Sequence, residues 1–153
     1  MIVLSDIDGC VINPCEFVKK YLHKPKKDWN EYFKHTLEMP SILPVVVLLT
    51  SLISAGHDIT FMTGRPESNR EDTNRSLTRA IPVSSICHLN LLMRKNGDRT
   101  ESALLKLAWC MQWHPSLVLE DEPETVKLLS NRGYTVLQVH GYRVDEFKDN
   151  VPE

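Results

Sequence analysis

The 153-residue chain has no excess of positive charge: its formal net charge is −2. A protein that grips long nucleic acid through many phosphates carries a basic sheath, so any polyanion here would have to be bound locally. Cysteine is sparse and scattered. Cys10, Cys15, Cys87 and Cys110 form neither a CxxC pair nor a close-set framework, which suits free thiols in a reducing cytosol, and a cytoplasmic protein is expected. Long hydrophobic runs are missing too. The longest, ILPVVVLLTSLISA, is about 14 residues and is interrupted by Pro44, too short to span a bilayer, so it reads as a buried helix and no membrane partner is expected. No basic segment precedes an apolar run at the N-terminus, and no repeat, low-complexity tract or linker divides the chain; DEFKDNVPE reads as a polar tail.

What remains is an ordinary globular composition, 42% hydrophobic and 25% charged, long enough to bury a core without disulfide or metal staples. One domain over 1–153 is expected. IVLSDI is short, apolar and β-branched, as a strand buried on both faces should be, and 41–55 is long enough for a helix closed by Gly56. The beat repeats. DITFM precedes GRPESNREDTNRSLTRA, with Pro66 placed where a first helical turn tolerates proline, and HLNLLMR precedes a turn at Asn96-Gly97 and a helix over 100–112. SLVLE precedes a helix over 123–132 ended by Gly133, and YTVLQV closes the series. Five strands alternating with helices predict an α/β, Rossmann-like parallel sheet with helices on both faces and a site at the carboxyl ends of the strands.

Residues two apart on extended chain point the same way, so Asp6 and Asp8 should face one cavity while Ile7 turns into the core. Paired carboxylates want a cation. Magnesium takes one or two carboxylates and leaves room for water and phosphate; Asp6, the backbone carbonyl of Asp8, and Asp121 are its candidate ligands, with Gly9 turning the chain beside it. The plain alternative for an isolated DIDG is a turn or helix cap. Thr63-Gly64-Arg65 offers a hydroxyl, backbone N–H groups and a helix start, a ready phosphate site, or else a simple N-cap. Lys106 is either a charge balancer for nucleophile and phosphate or a surface helix lysine, and the acids of EDEPE either serve the metal or merely favour a first helical turn.

The ordered set DIDG, TGR, a lysine and the Glu120-Asp121 pair resembles the haloacid dehalogenase (HAD) superfamily of aspartyl-phosphate phosphatases over residues 1 to about 140. The resemblance implies a HAD fold without a large cap domain. It also implies that Asp6 attacks phosphorus and that Asp8 protonates the leaving oxygen and then activates water. On the same footing Thr63 and Gly64 bind the phosphoryl group, Lys106 balances charge, Asp121 ligates magnesium, and Glu120 orients that ion from outside its ligands. Cys10 stands where the family often has threonine, and Glu120 where its acidic pair often begins with aspartate.

DWNEYF, LPVVVLLTSLISAGHDITFMTGRPESNREDT, LLMRKNGDRTESALLK and LVLEDEPETV further resemble the 3′-phosphatase domain of phage-type polynucleotide kinase-phosphatases. That likeness implies substrate contacts from Arg65 and Arg94. No GxxxxGK[ST] phosphate loop occurs in the sequence, so a stand-alone phosphatase is expected. Lys95 and Arg99 fit solvated turn charges equally well.

A basic, aromatic flap spans about 10–40. Its Tyr21, Trp29, Tyr32 and Phe33 either stack a nucleobase or pack on the sheet. The expected substrates are a deoxynucleoside monophosphate or a nucleic-acid 3′-phosphate end. A sugar phosphate and a non-catalytic phosphate-binding module are the alternatives. With so short a flap, a homo-oligomer is expected to shield the site from water.

Overall fold

The computed structural model describes residues 1–81 and 90–140. Cys87, the first two residues of HLNLLMR and the polar tail lie outside that range. Five parallel strands form one sheet: β1 (Ile2–Asp6), β2 (Asp58–Pro66), β3 (Asn90–Arg94), β4 (Leu117–Glu120) and β5 (Val136–Gln138), in the order β3-β2-β1-β4-β5. β1 therefore lies at the centre. Successive connections run outward from it to β3, and the chain then crosses back to β4 on its other side. This reversal opens a crevice at the carboxyl ends of β1 and β4, the usual ligand position in such sheets.

Alternation along β1 sorts the core into two layers. Val3 faces α3 (Leu43–Ser54) and α4 (Arg70–Ala80), packing in the cluster that holds Val46, Leu49, Phe61 and Leu77. Leu4 faces α5 (Ser102–Trp113) and α6 (Pro123–Asn131), with Met62, Leu107, Cys110, Val118 and Leu129. Each such side chain removed wholly from water contributes about 1.5–3 kcal/mol, so a central strand with no polar face is stable only between two helical layers. Cys10, Cys15 and Cys110 are buried, and no disulfide forms among the described residues. Among the described residues no helix is long and apolar enough to cross a membrane.

The apolar run around Pro44 does form α3, but the helix leaves Leu43, Val47 and Leu48 exposed and buries only its inner face. Gly133, just after α6, sits at φ +86°, where a side chain would be strained. The stretch read as a flap is built of α1 (Cys15–Phe17), which runs on into a π-helical turn at Val18–Leu22, and α2 (Trp29–Lys34), capped by Asp28 accepting from the Glu31 N–H. Its own periodicity gives no long helix, because Pro14 and Pro25 punctuate it.

One strand boundary differs from the expectation. β2 does not end at Met62 but continues through Thr63, Gly64 and Arg65 to Pro66, so Pro66 is extended, and α4 begins only at Arg70 after a 3-10 turn at Glu67–Asn69. The register against β3 shifts between Thr63 and Pro66, leaving Gly64 and Arg65 unmatched. Such a bulge re-aims the residues it carries, and here it bends them over the end of β1.

Candidate active site

β1 ends at Asp6, and the chain then coils tightly: the Ile7 carbonyl accepts N–H groups from Cys10, Val11 and Ile12, while Ile7 itself is buried in the core. Asp6 and Asp8 thereby both line one cavity of about 470 Å³ at the strand ends, together with Thr63, Gly64, Arg65, Arg94, Lys106 and Asp121. The chain turns at Gly9 with φ +85°, and a Cβ there would stand 2.2 Å from Asp121 Oδ2. Only glycine lets the Asp121 carboxylate come this close.

Each aspartate has its own cation. Lys106 Nζ lies 2.9 Å from Asp6 Oδ2, and its other contacts are Glu120 Oε2 at 2.7 Å and Oε1 at 3.0 Å. All three groups are buried. Burial opposes the lysine's charge, but the Asp6 and Glu120 carboxylates outweigh it and hold its pKa up. Burial pushes Asp6 up from 3.8 to about 7, against Lys106 and with help from Glu120 and Asp8. The Glu120 carboxylate also accepts the N–H groups of Asp121 and Glu122 at 3.1 and 3.0 Å. Glu120 thus fixes Lys106 and shapes the turn that carries Asp121.

Asp8 is gripped from the other side. Arg65 donates from Nε to Oδ2 at 2.8 Å and from Nη2 to Oδ1 at 2.6 Å, and the Tyr32 hydroxyl of α2 donates to Oδ1 at 3.3 Å. Arg65 is only 2% exposed, and its Nη1 reaches Thr73 Oγ1 at 3.3 Å. Thr63, also buried, accepts the Arg65 N–H on its Oγ1 at 3.2 Å. Arg94 donates from Nε to the Gly64 carbonyl at 2.9 Å and reaches the carbonyls of Asp98 and Thr100, so it ties the bulge of β2 to the turn after β3. Lys95 and Arg99 are exposed and outside the cavity lining.

Three groups were not singled out for the site by sequence pattern. As a flap aromatic that stacks a nucleobase or packs on the sheet, Tyr32 has no expected tie to Asp8, and Ser102, at the start of α5, lines the cavity 3.1 Å from where a Gly64 Cβ would be. Cys10 is the third. Its thiol and one carboxylate oxygen each of Asp6 and Asp121 lie within 4.8 Å of one another, all buried, close enough for one ion to touch all three. Burial and the surrounding carboxylates of Asp6, Glu120 and Asp121 push that thiol's pKa well up. The two carboxylates suit a hard divalent cation such as magnesium, while the thiol adds a donor that softer metals prefer.

A central parallel sheet whose first strand delivers two carboxylates, with a threonine from the second and a lysine and an acid pair from the far side, defines a HAD-type phosphatase. More particularly, the family described as "Polynucleotide kinase PNKP phosphatase domain" matches residues 1–142, and the chain belongs to that family. Among solved structures, it resembles a chain of the "Pnkp1/Rnl/Hen1 RNA repair complex" at 19% identity and TM-score 0.68, covering 90% of this chain and 42% of that one. It therefore spans less than half of that relative. The class C acid phosphatase from Bacillus anthracis is similar at 14% identity and TM-score 0.65, over 95% of this chain and 68% of that one. The D,D-heptose 1.7-bisphosphate phosphatase from B. bronchiseptica, solved with magnesium and phosphate, is similar at 10% identity and TM-score 0.59, over 90% and 79%. A search of curated protein sequences finds no match.

Proposed function

We propose that this chain is a magnesium-dependent phosphomonoesterase that works through an aspartyl phosphate on nucleotide substrates, in particular the 3′-phosphate of a nucleic-acid end or of a deoxynucleotide. The observation that carries this reading is the pairing of two neighbouring carboxylates with different cations on one cavity floor, Asp6 with Lys106 and Asp8 with Arg65. Two similar acids are thereby given unlike surroundings, as separate nucleophile and acid–base roles require.

In this reading an Asp6 oxygen attacks phosphorus, the bond to the leaving oxygen breaks, and Asp8 passes that oxygen a proton. Asp8 then takes a proton from water, whose oxygen attacks phosphorus; the bond to Asp6 breaks and inorganic phosphate leaves. Thr63, the Gly64 N–H and Lys106 hold the phosphoryl oxygens. Arg65, spent on Asp8, orients the acid–base group in preference to touching phosphate, and Glu120 holds Lys106 in place. Asp6, Asp121 and the Asp8 main-chain carbonyl are suited to hold magnesium, which supplies positive charge against the phosphoryl oxygens. The domain is taken as 1–153 with a small flap at about 10–40.

The test is phosphate release from 3′- and 5′-deoxynucleotides, 3′- and 5′-phosphorylated oligonucleotides and sugar phosphates, with and without magnesium, beside Asp6→Asn. Magnesium-dependent release that favours a 3′-phosphate and vanishes in Asp6→Asn is expected. Preference for a sugar phosphate, or equal release by Asp6→Asn, would overturn the reading.

A further inference from the structure

We propose that Trp29 is the platform on which the base of the substrate nucleotide stacks while its phosphate sits over Asp6; this rests on the nucleotide phosphatase reading above. The flap has five aromatic side chains, and the structure gives four of them other work. Phe17 packs against the core, its ring centroid 5.6 Å from that of His35. Tyr21 is buried, its ring parallel to His35 at 5.0 Å and its hydroxyl 2.8 Å from the His35 Nε2. Tyr32 is buried with its hydroxyl on Asp8. Phe33 packs against the core. Trp29 alone of the five is largely open, at 48% exposure, yet it lines the same cavity as Asp6 and Lys106.

Its exposure is not looseness. Trp29 opens α2, where Tyr32 meets its ring edge-on at 5.9 Å and 85° and Phe33 lies alongside at 5.9 Å and 26°. Tyr32 in turn is tied to Asp8, so the indole is fixed relative to the acid–base group. The cavity lining thus has two characters: the polar and charged groups of Asp6, Thr63, Gly64 and Lys106, and an aromatic plate, Trp29, with the apolar Val18 and Leu22. A phosphate carried on a planar, hydrophobic group matches both. A sugar phosphate would leave the plate wet.

Lys27 stands over the Trp29 ring, 5.8 Å from its centroid. An exposed cation–π contact of this kind is worth about two- to fivefold in an equilibrium, against about five- to 150-fold for one stacked base. A base therefore displaces Lys27 from the ring, and the freed ammonium, with exposed Lys24 and Lys26 beside it in sequence, is left to meet the next phosphate of a strand.

Two readouts test this. Tryptophan fluorescence of Asp6→Asn protein is titrated with a 3′-phosphorylated dinucleotide and with abasic deoxyribose phosphate. Turnover of both compounds is measured for the wild type, Trp29→Ala and Trp29→Phe. The platform predicts quenching by the nucleotide only, absent when Trp29→Phe is added. It also predicts a KM for the nucleotide raised about five- to 150-fold in Trp29→Ala with kcat little changed, mostly restored in Trp29→Phe, and no effect on the abasic ester. Equal changes for both compounds, or none for either, overturn it. If the wild type hydrolyses neither, the phosphatase reading fails, and the quenching still decides the platform: base-specific quenching supports it and its absence overturns it.

Discussion

Arg65 and Asp8, 57 residues apart in sequence, form a two-pronged ion pair in which Nε and Nη2 each take one carboxylate oxygen, at 2.8 and 2.6 Å. The guanidinium is buried between β2 and α4, and Asp8 is the partly open end of the pair. The fork fixes the plane of the Asp8 carboxylate, which a single ammonium cannot do.

Arg65→Lys is therefore expected to keep the charge and lose the alignment, lowering kcat about 10²-fold with a much smaller change in KM. Steady-state kinetics beside a thermal melt would check it. An unchanged kcat in a folded variant would show that Asp8 needs no fork.

Lys106 and Glu120 are coupled more deeply, since both are almost wholly buried and 2.7 Å apart. Lys106→Met leaves Glu120 and Asp6 without their cation, and removing one partner of a buried pair costs about 3–5 kcal/mol. Adding Glu120→Gln removes one of the stranded charges, so the double variant should recover part of that loss. Urea denaturation of the four proteins of this cycle gives the coupling, and additive losses would mean that Lys106 serves Asp6 alone.

How far these relationships were legible depends on their range in sequence. The two-residue period put Asp6 and Asp8 on one side with Ile7 inside, and the alternation of apolar strands with capped helices gave the five strands, because both patterns are local. The end of β2 is not legible locally, because the strand's extension to Pro66 rests on pairing with β3 across a bulge, which no run of residues encodes. Arg65 with Asp8, Tyr32 with Asp8, and Cys10 beside Asp6 and Asp121 are all set by how the segments fold together. Glu120 is the sharpest case: an acid next to a candidate metal ligand reads as metal support, and only the packing of α5 against β4 turns its carboxylate to Lys106.

Gly9 meets two demands at once, a φ of +85° and the close approach of Asp121. Gly9→Ala adds strain of about 1–3 kcal/mol at the backbone and pushes its Cβ into the Asp121 carboxylate. Lower stability and weaker magnesium binding are expected together. Calorimetric titration with magnesium checks the second, and wild-type affinity in the variant would remove Asp121 from the ion's ligands.

The raised pKa of Asp6 gives the metal-free protein a pH dependence of definite sign. Burial first, then the neighbouring Glu120 and Asp8, lift the carboxyl from 3.8 to about 7, with Lys106 opposing. Between those values the folded chain keeps a proton that the unfolded chain has lost, so unfolding releases protons and stability falls as pH rises through the window. The full effect is on the order of a few kcal/mol. If Asp6 ligates magnesium as proposed, the ion would compete with that proton for the same oxygens and flatten the fall, and Asp6→Asn should remove this group's share of it. Urea midpoints at about pH 4.5 and about pH 7.5, with chelator or with magnesium, read all three effects against the slope that other groups impose. If wild type and Asp6→Asn have the same slope in chelator, Asp6 is ionised throughout, and its pair with Lys106 outweighs the cost of its burial.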